Sequence, residues 1–152
     1  MKYLFVLFSV ALFAKGCNDK NSDEDTVKNA QDEISIQYEA SARGFYQNIV
    51  VDKAQLSLTK VRGGKVSAKQ EMSETDWNEI VTLLDKIDSE KLKRNYVNPD
   101  DIGRDAVIPA KLTVRYKENI VTDVEFGYGN PPEALAPLLT KIEAMANAVD
   151  KP

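Results

Sequence analysis

The chain has 152 residues, with 20 Lys and Arg against 24 Asp and Glu, a net charge of −4, no histidine and one cysteine. That length suits one domain of ordinary size, and the acidic balance offers no electrostatic footprint for nucleic acid. Without histidine there is no Ser-His-Asp or Cys-His nucleophile, and one cysteine leaves neither an intramolecular disulfide nor a typical zinc site.

Met1-Lys2-Tyr3 precedes an apolar run from Leu4 to Ala14 that only Ser9 interrupts. A charged start followed by an apolar stretch of this length is the pattern of a secretory signal peptide. The run is shorter than the roughly 20 apolar residues a membrane-spanning helix needs. Lys15-Gly16-Cys17 follows it. A small residue directly before a cysteine resembles a lipobox, the site cut by lipoprotein signal peptidase. Ala14 and Lys15 depart from the usual lipobox in the manner of the loose lipoboxes of the Bacteroidetes. The competing reading is an ordinary cysteine beside a conventional cleavage site. It would leave a lone thiol on an exported protein, which lipidation removes.

Residues 1–16 are therefore expected to be a lipoprotein signal peptide, with lipid on Cys17. The acyl chains bury many methylenes at about 0.8 kcal/mol each, enough for stable anchoring. Cleavage also takes Lys2 and Lys15 away, moving the net charge from −4 to −6. That balance disfavours adhesion to anionic lipid, so the expected membrane link is the lipid itself. The expected location is the cell envelope, at the outer membrane, with the leaflet left open.

Residues 17–32 read as the lipidated cysteine and a disordered acidic tether. Asn18 to Asp25 contains no apolar residue, so it has no buried surface to offset its ordering entropy. As a random coil, residues 18–32 reach on the order of 20 Å. Ser22-Asp23-Glu24-Asp25 loosely resembles the acidic signal that sends Bacteroidetes lipoproteins to the outer face of the outer membrane. A plain solvated spacer is the competing account.

Residues 33–150 are expected to form a single α+β domain. Ile34, Ile36 and Tyr38 alternate with Ser35 and Gln37, the pattern of a half-buried strand. Gly44 supplies a turn. Phe45 to Val51, rich in aromatic and β-branched residues, predicts a second strand, and Gln55 to Val61 a third. Arg62-Gly63-Gly64-Lys65 is a hairpin signal with a return strand over 66–70. It lies between strands and not before a helix, so it does not read as a phosphate loop.

Ser73 and Asp76 form an S-x-x-D cap, flanked by Met72 and Trp77 as a hydrophobic staple. Trp77, Ile80, Val81, Leu84 and Ile87 recur at helical spacing, predicting a helix that fades near Ser89, with Leu92 as its last core contact. After a long connection, 111–116 and 120–126 read as a hairpin, with Ile120, Val124 and Phe126 sharing a face. Pro131 and Pro132 open a short turn, and a final helix begins at about Pro137, which an interior helical position would not tolerate. The sum is an antiparallel sheet of five or six strands with two helices packed on one face. Its other face is left to solvent or a partner.

Three runs carry a family resemblance: Tyr38-Glu39-Ala40-Ser41-Ala42-Arg43-Gly44-Phe45-Tyr46, Trp77 within its helix, and Phe126-Gly127-Tyr128-Gly129-Asn130-Pro131-Pro132. Together they resemble small uncharacterised lipoproteins of the Bacteroidetes over most of residues 34–145. The resemblance implies location and fold. That family has no assigned activity, so it implies no catalytic residues.

Candidate chemistry is sparse. Asn98 to Asp105 offers oxygen ligands suited to calcium, but Ile102 takes the third ligand position and Pro109 the twelfth. A solvated loop with Asx-turns is the expected reading, with no metal and no cofactor. Glu39, Asp123 and Glu125 could supply a carboxylate pair. Asp123 and Glu125, however, share the face opposite Val124 and Phe126, as solvated positions do. Arg43, Phe45, Tyr46, Tyr128 and Asn130 are the candidate partner surface, because arginine and aromatic residues are enriched at binding hot spots. The alternative is that Phe45 and Tyr128 are core.

The function expected from these residues is a membrane-anchored, non-catalytic binding, adaptor or inhibitor module of the cell envelope, with an envelope protein as partner. The alternative is a glycan or small-ligand binder, or a weak hydrolase using carboxylates.

Overall fold

The computed structural model describes residues 33–98 and 107–150. The expected signal peptide, Cys17 and the expected tether lie outside the described residues, as does the 98–105 loop except Asn98.

Six strands form one antiparallel sheet: β1 (Ile34–Ala42), β2 (Phe45–Asp52), β3 (Gln55–Thr59), β4 (Ala68–Glu71), β5 (Pro109–Tyr116) and β6 (Asn119–Gly127). Their order is β4-β3-β2-β1-β5-β6. Helix α1 (Glu74–Asp85) and a 3-10 turn (Ser89–Lys91) join β4 to the segment before β5, and α2 (Ala136–Val149) closes the chain. This is the expected α+β architecture, with six strands. Among the described residues no helix is long and apolar enough to cross a membrane.

Strand alternation decides the faces. Residues Ile36, Tyr38 and Ala40 of β1 oppose Val114, Leu112 and Ala110 of β5, and all six are buried. Ile49, Val51, Leu56, Leu58, Val124 and Phe126 extend the same apolar layer. Trp77, Ile80 and Val81 of α1 belong to this core cluster, as do Leu138, Leu139, Ile142, Met145 and Ala146 of α2. Burial of this aliphatic surface, at about 25 cal/mol per Å², is the main force holding helices to sheet. The indole Nε1 of Trp77 is buried without a hydrogen-bond partner, so its apolar packing offsets an unmet N–H.

The opposite face is polar and cross-linked. Gln37 Nε2 donates to Asn48 Oδ1 at 3.1 Å, and Arg115 donates to Gln37 Oε1 at 3.3 Å. Lys111 Nζ lies 3.0 Å from Asp123 and 3.7 Å from Glu125. Arg94 donates to Asp123 at 3.3 Å. The segment carrying Arg94 also guards the sheet edge: Tyr96 N donates to Glu125 O, and Glu125 N to Arg94 O, at 2.7 and 2.6 Å.

Helix α1 starts where its cap predicts. Ser73 Oγ accepts from Asp76 N at 3.0 Å and donates to Asp76 Oδ2 at 2.6 Å. The helix ends at Asp85, before Ser89, because Ile87 N bonds Leu84 O in a tighter turn. Lys141 of α2 donates to Asp76 at 2.8 Å and Glu79 at 2.5 Å, tying the helices together. Pro137 sits in the first turn of α2, as expected.

Two strand expectations are corrected. The β3–β4 hairpin is wider than a four-residue turn: Ser67 N returns to Leu58 O, and β4 starts only at Ala68. Ile120 does not share a face with Val124 and Phe126. A register shift pairs Val114 with Thr122 but Arg115 with Ile120. The extra residue, Val121, inverts the alternation, and Ile120 is 55% exposed.

Candidate functional site

At the end of the sheet formed by the β1–β2 turn, β6 delivers its last aromatic residues onto β1 and β2. Tyr38 stacks with Phe126 and with Tyr128, at ring-centroid distances of 6.1 and 6.3 Å. Phe45 meets Tyr128 at 5.2 Å, tilted by 52°. The Tyr38 hydroxyl donates to the Glu143 carboxylate of α2. Burial raises the titration of Tyr38, and the Glu143 charge raises it further. Tyr128 is raised by the same two causes in the same order. Glu143 is itself pushed above the usual carboxylate range by burial, against the opposing hydrogen bond from Tyr38. A half-buried carboxyl is thus held among aromatic rings.

The candidate partner surface divides in this geometry. Phe45 and Tyr128 come together, half-buried and packed on the core. Tyr46 follows Phe45 by one residue and projects from the polar face. There the Arg62 guanidinium lies 5.7 Å from its ring centroid, and Arg62 also donates to Ser41. Arg43 is exposed in the turn between β1 and β2. Asn130 N closes onto Gly127 O at 2.9 Å, around Gly129 at φ +82°.

Glu143 and the Tyr38 hydroxyl are absent from the sequence-derived candidates. One signal for them exists: a tyrosine on a buried strand face needs a partner for its hydroxyl. Nothing local to Glu143 marks it as that partner, since it lies beside the Leu139–Ala146 stripe as an ordinary flanking acid.

The carboxylates on the polar face are engaged. Burial alone would raise Asp123, but Lys111, Thr113 and Arg94 together hold it below the usual carboxylate range. Thr113 Oγ1 donates to it at 3.2 Å. An acid held ionised in this way is unsuited to donating a proton to a leaving group. Among the described residues, no group of three or more His, Cys, Asp or Glu side chains gathers to hold a metal ion. Trp77 is buried, so it presents no face for a sugar to stack on.

A groove of about 530 Å³ lies between the segment that follows α1 and the approach to α2. Leu92, Tyr96, Val97, Pro132 and Ala134 give it apolar walls, and Lys86, Lys91, Lys93 and Asp88 also line it.

Against known protein families, curated proteins and solved structures, the chain shows no significant match.

Proposed function

We propose that the chain is a lipid-anchored, exported binding module of the cell envelope, acting without catalysis as an adaptor or as an inhibitor of another protein. The observation that carries this reading is Lys15-Gly16-Cys17 after an eleven-residue, largely apolar run, in a chain whose only cysteine is Cys17. Lipid on Cys17 would hold residues 33–150 at the outer membrane. The absence of histidine from the sequence supports a binding role, as does the engagement of Asp76 and Asp123 in ion pairs. The proposed partner surface is Arg43, Phe45, Tyr46, Tyr128 and Asn130. Of these, Phe45 and Tyr128 form an aromatic contact with partial exposure, the kind of group that anchors interfaces.

Crosslinking in intact cells, comparing the native chain with Cys17→Ala, tests this. One dominant partner that disappears in the variant is expected. No specific partner in either form would sink the adaptor reading. The groove beside α2 favours a second reading, a small-ligand binder held at the same membrane.

A further inference from the structure

We infer that the groove between Lys86–Val97 and Pro132–Ala134 is a binding site for an amphipathic carboxylate, an acyl chain ending in one negative charge. The inference deepens the binding-module reading by naming a ligand class, and it rests on that reading. Three independent features agree.

The first is shape. A volume of about 530 Å³ falls in the usual range for small-ligand sites, roughly 300–1,000 Å³. The second is the division of chemistry. The apolar wall joins Leu92 and Tyr96, both partly buried against the core, to the 68% exposed Val97. An exposed aliphatic beside a concave apolar wall gains from covering by a hydrocarbon chain.

The third feature is charge. In a chain of net −4, the described residues of the lining carry Lys86, Lys91 and Lys93 against Asp88. Asp88 pairs with Lys91 at 2.7 Å, with the lysine side chain 84% exposed. Such a pair is weak and readily exchanged. Glu133 lies between Pro132 and Ala134 in sequence but is exposed and does not line the groove. The wall formed by Pro132 and Ala134 leads into the N-terminus of α2. Its cap residue, Leu135, makes no side-chain cap bond, and its first turn holds no acid.

A flat anionic membrane is a poorer occupant. The lysines line a concavity, and the chain as a whole is acidic.

The test uses the purified mature chain, lipidated on Cys17, in phosphatidylcholine nanodiscs, photolabelled with a diazirine-bearing dodecanoate and mapped by peptide mass spectrometry. Labelling is expected within residues 86–97 and 132–134, competed by dodecanoate and not by dodecanol. Lys86→Gln with Lys93→Gln should reduce labelling about five-fold. Ala134→Trp, which fills the groove at an exposed position, should abolish it with all lysines in place. Lys69→Gln, on β4, should leave it unchanged. Labelling confined to other peptides overturns the inference. So does equal competition by dodecanol, or indifference to both groove variants. Competition by phosphatidylglycerol nanodiscs as strong as by dodecanoate would reassign the site to lipid headgroups and overturn it too. Absent labelling alongside a crosslinked partner in cells removes the ligand class and leaves the module standing. Groove labelling with no cellular partner removes the adaptor and supports the ligand.

Discussion

Glu143 is protonated more readily in the folded chain than in the unfolded one, because burial disfavours its charge. The folded state therefore binds more protons in the interval above the ordinary carboxyl value of 4.5. The stability contributed by Glu143 is complete below that value and is lost as pH rises through the folded titration point. Glu143→Gln removes the ionisation. The urea midpoint of the native chain should fall between mildly acidic and neutral pH, and that of the variant should fall less. Asp76 and Asp123 act oppositely. Their titration is lowered from the ordinary 3.8, so their contribution is present above 3.8 and lost as pH falls below it. The two effects occupy different pH windows, so one titration of stability separates them.

Gly44 makes a second residue-scale case. Its φ is +83°, and a Cβ there would meet nothing within 4 Å. The penalty for Gly44→Ala is therefore conformational and not steric, about 1–2 kcal/mol. Gly44→Asn should recover part of it, because asparagine tolerates this backbone region. Denaturant unfolding of both variants measures the difference. Gly44 was legible in the sequence because the turn is a local requirement. Glu143 was not, because its role depends on Tyr38, more than a hundred residues away in the chain.

At the scale of elements, α1 depends on its cap. Ser73→Ala removes the acceptor for Asp76 N and a donor to the Asp76 carboxylate. The expected loss is about 1 kcal/mol, read as a lower urea midpoint with an unchanged slope. Asp76 also receives Lys141, so the lost cap loosens the α1–α2 contact as well. Local signals of this kind explain why α1, α2 and the strand alternation were readable in advance. Ser73, Pro137 and the Trp77–Ile80–Val81–Leu84 spacing act within one or two turns of chain. The bulge at Val121 left no such mark. An alternating run reads the same whether its partner strand slips by one residue or not, and only the pairing with β5 decides it. The width of the β3–β4 loop has the same origin. Ser67 must return to Leu58, which the turn residues at 62–65 do not specify.

For the whole molecule, β1 occupies the centre of the sheet, paired with β2 on one side and β5 on the other. Both helices and all strands except β4 contribute fully buried residues to one hydrophobic cluster. Cooperative unfolding follows from that shared core. The single tryptophan, Trp77, is 2% exposed at the helix–sheet boundary. Its fluorescence should therefore report the same transition as far-ultraviolet circular dichroism. Two separated midpoints would show that the α1 region unfolds independently of the sheet.

The sequence by itself determined the element types, their order, and the core-facing side of elements such as β1 and α1. Those properties follow from periodicity, caps and turns, which act over short stretches of chain. It also carries Gly16-Cys17 after an apolar run, the linear pattern on which the proposed export and lipidation rest. Only the tertiary structure decided which strand is central, which faces Phe45 and Tyr46 occupy, and that Glu143 meets Tyr38. The groove bordered by Lys86, Lys93 and Ala134 belongs to the same class. Its two walls lie about forty residues apart in the chain. The packing of α1 and α2 against one sheet brings those walls together, and no local pattern encodes that contact.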